Sequence, residues 1–207
     1  MKYRDLCEMA KACRLCPGMS FGRTFLNEYN GPERCDIMFI GEATNVGTDD
    51  MLPRPFSDSP SGSNFDHLLS SCGIERNDVF VTNTVLHTPI TSSGQMRYVS
   101  ETEQASCSSF LFRQIEIINP LLICTLGNRA FEGLKILYRE NILDHRVKEV
   151  IGTPLSLRDG RKLMALYHPS PNVITKWRTM KQQEEDYSKV KILLDKLRSQ
   201  RECLSIR

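Results

Sequence analysis

The stretch CDIMFIGEA, residues 35–43, decides the fold. Its apolar run is too short for a helix and too continuously apolar for a strand with one wet face, which predicts a strand buried on both faces. Three further runs repeat the pattern: DVFVTN at 78–83, PLLICTLGN at 120–128 and LMALYHPS at 163–170. Helical patterns lie between them. SNFDHLLSSCG (63–73) puts Phe65, Leu68 and Leu69 on one face and stops at Gly73. SETEQASCSSFLFRQIEIINP (100–120) opens with Ser100 and Glu103 in capping-box spacing and ends before Pro120. NRAFEGLKILY (128–138) is expected to start on an Asn cap, and the stripe Tyr187, Val190, Leu194, Leu197 marks a last helix over about 179–199. Strands alternating with helices imply an α/β fold, its parallel sheet covered on both sides.

The 207 residues, 40% of them hydrophobic, suffice for a real core and fit a single domain over 1–207. No apolar run approaches the roughly 20 residues needed to span a bilayer, and residues 1–16 contain nothing like a secretory signal. A cytoplasmic protein without a membrane partner is therefore expected, and a monomer is the default. Eight cysteines in a reducing compartment argue for thiols and metal ligands over a disulfide framework. The net charge of +2 neither demands nor excludes nucleic acid, because phosphate is bound by local patches. Segments 44–62 and 88–99, rich in Ser, Thr, Pro and Gly, are expected as loops.

The residues that end the apolar runs are Gly41-Glu42, Thr82-Asn83, Gly127-Asn128 and His168-Pro169-Ser170. In an open parallel sheet all of these fall at one edge, where ligands bind beyond the carboxyl ends of the strands. Each alone reads as a cap or turn residue. A carboxylate, an amide and an imidazole converging there read as a site.

The order and spacing of CRLC (13–16), FIGEA (39–43), RPF (54–56), GIERNDVFVTN (73–83), ETEQASC (101–107), INPLLICTLGNRA (118–130) and YHPSP (167–171) resemble the uracil-DNA glycosylase superfamily, specifically its type 4 iron–sulfur members and their X-type relatives. The resemblance implies a three-layer α/β/α sandwich around a central four-stranded parallel sheet. It also implies an enzyme that flips a base out of single- or double-stranded DNA and hydrolyses its glycosidic bond in base-excision repair. In that reading Asn83 pairs its amide with the uracil edge, Phe56 stacks on the flipped ring, and Gly41, Ala43 and Ser170 complete the base pocket. His168 hydrogen-bonds uracil O2 as charge develops there, and Glu42 orients a water toward C1′. The segment PNVITK after His168 supplies Val173 or Ile174 as a wedge and Lys176 near phosphate, and Arg97 faces DNA.

The sequence departs from the family in GEATNVGTDD, where Thr44-Asn45 replaces the usual Pro-Gly. The X-type crosslinking histidine has no counterpart between His87 and Cys107, so crosslinking by that route is not expected.

Cys13 and Cys16 form a C-x-x-C pair open to redox, zinc or iron–sulfur readings, and Cys107 lies in the first turns of its helix. The resemblance puts His87, four residues after Asn83, where type 4 enzymes carry another cysteine. It thereby implies a [4Fe–4S] cluster held by Cys13, Cys16, His87 and Cys107. Zinc competes, since three cysteines and a histidine make a closed tetrahedral site equally well. Cys7, Cys35, Cys72, Cys124 and Cys203 are read as bystanders, and His67 and His145 as surface or local structure. Two other functions compete: a transferase modifying a thymine derivative in DNA, and a protein that binds damaged bases without cleavage.

Overall fold

The run at 35–43 forms strand β1 (Ile37–Gly41), buried along its whole length. The structure is a computed structural model that describes residues 1–16, 26–44, 54–57, 59–139 and 146–205. The other predicted strands are present as β2 (Phe80–Asn83), β3 (Leu122–Leu126) and β5 (Lys162–Leu166). These four strands are mutually parallel, and the sheet runs in the order β2-β1-β3-β5-β4. The fifth strand, β4 (Pro154–Ser156), is antiparallel and lies at the edge, which corrects the expected four-stranded sheet. Only Leu155 of β4 is buried, so no apolar run announces it, and Pro154 is tolerated because an edge strand need not donate on both sides.

Two helical layers cover the sheet. On one side α3 (Glu101–Ile118) packs between α1 (Tyr3–Ala12) and α4 (Asn128–Tyr138), and α4 lies on β3 and β1. On the other, α2 (Pro60–Ser71) packs on α7 (Met180–Ser205), which crosses β5. The short helices α5 (Val147–Val150) and α6 (Pro171–Lys176) flank β4 and follow β5. Phe39 of β1 lies edge-on to Phe65 of α2 at 5.1 Å and stacks with Tyr187 of α7 at 6.0 Å. Such aromatic pairs add about 0.5–1.5 kcal/mol beyond their buried area. Arg198 and Arg201 of α7 reach Asp36, just before β1, and hold its carboxyl below the usual range despite its partial burial.

The four predicted helices are present, but α2 starts three residues earlier, at Pro60, α7 runs on to Ser205, and the cap of α4 differs. Gly127, not Asn128, precedes the first turn of α4, at φ 89°, a conformation that favours glycine. A Cβ at Gly127 would also stand only 3.2 Å from His168 Cβ. Of the expected loops, 60–62 begins α2, and 88–99 carries an antiparallel bridge between Ile90 and Met96. Residues 45–53 and 58, and His145, lie outside the described residues.

Candidate active site

Register builds the pocket. Parallel pairing of β1 with β2 sets Gly41 directly beside Asn83. A methyl group at Gly41 would collide with the Asn83 amide oxygen and come within 3.4 Å of the Phe56 ring. The missing side chain therefore lets an amide and an aromatic ring close on the same space, and Asn83 is only 5% exposed.

Phe56 holds a left-handed backbone, φ 60°, which is uncommon for a bulky residue and costs of order 1–3 kcal/mol unless its surroundings fix it. They do. The Phe56 carbonyl is pressed against Gly62 in the first turn of α2, where a Cβ would collide with it. Arg76 Nη2 donates to Pro55 O at 2.7 Å, and Arg54 Nη2 donates to Asn77 Oδ1 at 3.1 Å. The ring so held lies 5.7 Å from the imidazole of His168.

His168 follows β5 and rests against Gly127. The next residue is pinned by Asn64 Nδ2, which donates to Pro169 O at 2.9 Å. Burial pushes the His168 imidazole down to about 4, so it is neutral at physiological pH. Glu42 follows β1, and its Oε1 accepts from Val99 N at 3.2 Å. Thr84 N and Val85 N donate to the carbonyls of Gly41 and Glu42, extending the strand pairing into the turn. Thr44, at the position of the family's Pro-Gly, is buried and shares a 3.0 Å hydrogen bond with Thr88; Asn45 lies outside the described residues. Gly41, Glu42, Phe56, Asn83 and His168 thus meet at one edge, flanked by Ala43 and Ser170 in the same turns.

Behind this pocket lies a second polar layer. His87 is 1% exposed; its Nε2 meets Glu103 Oε1 at 2.9 Å, while Nδ1 has no hydrogen-bond partner. Glu103 also receives both Arg97 Nη1 and Nη2 at 2.7 Å, together with Ser100 N and Oγ at 2.9 Å. Arg97, with the other donors, holds the Glu103 carboxyl far below the usual carboxylate range. An ionised Glu103 accepts the Nε2 proton, and the buried Nδ1 is left without a hydrogen-bond partner. Arg97, expected on DNA, gives its guanidinium to this carboxylate while its side chain stays one-third exposed.

Cys107 packs with Val85, Val99 and Ala43. Burial, and then the neighbouring Cys16 and Cys13, push its thiol up to about 11. Among the described residues no three His, Cys, Asp or Glu side chains are drawn together tightly enough to hold an ion. The donor set nevertheless suits a cationic group in its chemistry: an orphaned, buried imidazole nitrogen and three cysteine thiols, two of them buried.

The segment after β5 is helical. Val173 and Ile174, the expected wedge, are half-buried, whereas Lys176 is exposed and Trp177 is 72% exposed. Arg178 is clamped to Asp186 through Nε at 3.0 Å and Nη2 at 2.9 Å, fixing the chain immediately behind that indole. Sequence reading missed Trp177, although it is the chain's single tryptophan and stands in a polar stretch. It also missed Glu103 as the organiser of His87; its capping-box spacing was visible, its second role was not.

The family model described as the uracil DNA glycosylase superfamily matches residues 28–191, and the chain belongs to that superfamily. The match takes in every strand-end residue described above, while Cys13 and Cys16 precede it. Among individual proteins, the chain is similar to the Type-4 uracil-DNA glycosylase of Thermotoga maritima, 33% identical over 167 residues covering 79% of each chain. The protein of that name from Sulfurisphaera tokodaii is 29% identical over 194 residues, 88% of this chain and 80% of its own. That from Archaeoglobus fulgidus is 28% identical over 187 residues, 90% of each.

Proposed function

We propose that this protein is a DNA glycosylase that hydrolyses the bond between uracil and deoxyribose after the nucleotide has flipped out of the helix, as in base-excision repair. The observation that carries the reading is the Gly41–Asn83 register, which sets an amide and the Phe56 ring at one buried point. An asparagine amide offers one donor and one acceptor, matching uracil O4 and N3–H, whereas cytosine presents the opposite polarity at those atoms. Phe56 stacks on the ring so selected.

When the C1′–N1 bond breaks, its electron pair passes into the uracil ring and the sugar becomes oxocarbenium-like. His168 meets the negative charge at O2. A neutral imidazole that donates N–H there binds the growing negative charge more strongly than the ground-state carbonyl, and that difference lowers the barrier. Glu42 is held by Val99 N on one oxygen and uses the other to orient a water toward C1′, with its charge opposing that of the sugar. The water adds to C1′ and loses a proton, and the uracil anion takes one from solvent. Lys176 and Trp177 face the DNA; their exposure beside His168 supports this, in place of Val173 and Ile174.

A [4Fe–4S] cluster held by Cys13, Cys16, Cys107 and His87 Nδ1 completes the reading. When bound, it supplies a cross-link between the N-terminal segment and the loop that carries Asn83. Its support is the buried Nδ1 of His87, which has no hydrogen-bond partner among the described residues. As-purified protein is expected to be brown, with broad absorption at about 400 nm; colourless protein with stoichiometric zinc overturns the cluster.

The activity is tested by incubating the protein with oligonucleotides that carry one uracil and treating the product with alkali. Strand scission by the wild type, lost in Asn83→Ala and Glu42→Ala, is expected. Intact strands with an altered base mass indicate a transferase, and tight binding without product indicates a recognition protein.

A further inference from the structure

Tyr98 is 75% exposed, yet both of its neighbours are held inward. Val99 is buried and donates its N–H to Glu42 Oε1, and Arg97 is fixed to Glu103 while its Nη1 donates to the Tyr98 carbonyl at 3.1 Å. A large ring is thus projected into water from backbone anchored on both sides, one residue from the contact that holds Glu42. The Arg129 guanidinium lies against the ring, 5.1 Å from its centroid. Arg129 belongs to the first turn of α4, where a cation opposes the helix dipole, so helix stability does not account for it. Its carbonyl is fixed by Gln104 Nε2 at 2.9 Å, and α4 begins at Gly127, against His168.

We propose that Tyr98, backed by Arg129, is a stacking platform for the unpaired base next to the flipped nucleotide, and that the enzyme engages single-stranded DNA through it. One face of the ring is occupied by the guanidinium, and among the described residues Tyr98 as a whole stays 75% exposed. A cation behind an aromatic ring suits a ligand that joins a π face to a phosphate, and a nucleotide is such a ligand. The ring is ordered before the DNA arrives, so little freedom is lost on binding. In duplex DNA the neighbouring base is already stacked in the helix, and the platform gains little. Arg97, the other cation of this loop, cannot substitute, because its donors are taken by Glu103 and by backbone carbonyls.

The platform rests on the glycosylase reading for the identity of the flipped base, and its test is read in two ways so that the two ideas fail separately. On a single-stranded oligonucleotide with one uracil, Tyr98→Ala is expected to raise KM about tenfold with kcat within about twofold, the scale of one lost base stack. Tyr98→Phe keeps the ring and restores the wild-type KM. Replacing the base on the 5′ or the 3′ side of uracil by an abasic spacer should weaken the wild type about tenfold on one of the two sides, and weaken Tyr98→Ala no further there. The same spacer series, read as binding by fluorescence anisotropy, tests the platform even if no uracil is released, an outcome that sinks the glycosylase reading instead. Equal sensitivity of wild type and Tyr98→Ala to both spacers, or a loss confined to kcat, overturns the platform.

Discussion

The base pocket and the polar layer behind it use similar side chains in opposite ways. Around Glu103 the acceptors are filled: five donor contacts, from His87, Arg97 and Ser100, converge on one carboxylate. In the pocket, Glu42 has one fixed oxygen and His168 is left neutral by burial alone. A saturated network holds a shape, because any lost partner strands a buried charge. An unsaturated one is available to substrate. Ala43 links the two, since it packs on Cys107 and Val85 of the rear layer while following Glu42 directly.

The largest expected effect breaks the rear layer. Glu103→Ala strands Arg97 and His87 and removes the carboxylate half of the α3 capping box, leaving the Ser100 cap itself, and it should lower unfolding stability by about 3–5 kcal/mol, measured by urea denaturation. Glu103→Gln, which keeps an acceptor for His87, should lose less. A loss under about 1 kcal/mol for the alanine variant would show that the rear layer does not carry the pocket.

Replacing His168 tests the other side. His168→Ala should lower kcat about 10²–10³-fold, the usual cost of one transition-state donor, with stability changed by less than about 1 kcal/mol. The pH dependence has a definite sign. The folded imidazole titrates at about 4 and the unfolded one at 6.5, so the unfolded chain binds the extra proton first as pH falls. Stability should decline from about pH 6.5 to about pH 4 and flatten below, and the acid limb of kcat/KM should lie near 4, not 6.5. In His168→Ala this share of the slope should vanish; an acid limb at 6.5 would mean that the working imidazole is not the buried one.

Gly41→Ala sharpens the comparison within the pocket. Its methyl group falls on the Asn83 amide oxygen, so overpacking of about 1–3 kcal/mol and a large rise in KM for uracil-containing DNA are expected together. Unchanged KM would show that Asn83 does not bind the base.

The parts of this design that sequence exposed were those written as local pattern. The four buried strands, the capping box at Ser100 and Glu103, and the polar residues at the strand ends need no knowledge of tertiary contacts. The resemblance added the roles. What stayed hidden depends on long-range packing: β4 buries a single side chain, Arg97 reads as a free cation until Glu103 is placed beside it, and the left-handed Phe56 needs Gly62 against its carbonyl. The exposure of the segment after β5 was hidden for a similar reason: Val173 and Ile174 look apolar and available in sequence but are half-buried, whereas Trp177 is exposed.

The proposed contact of Trp177 with DNA yields the smallest expected effect and a direct optical test of it. Trp177 is the only tryptophan, so intrinsic fluorescence reports this side chain alone. At 72% exposure the indole should emit as a solvated one, and added DNA should quench and blue-shift it if bases pack against the ring. Trp177→Ala should raise KM by about three- to tenfold while leaving kcat and stability nearly unchanged, because its neighbours stay clamped through Arg178 and Asp186. Lys176→Ala should instead weaken binding to all sequences alike and flatten the salt dependence by about one unit of slope. If saturating DNA leaves the emission unaltered, α6 does not meet the duplex with its indole, and the wedge returns to Val173 and Ile174, which would then have to leave the packing that half-buries them.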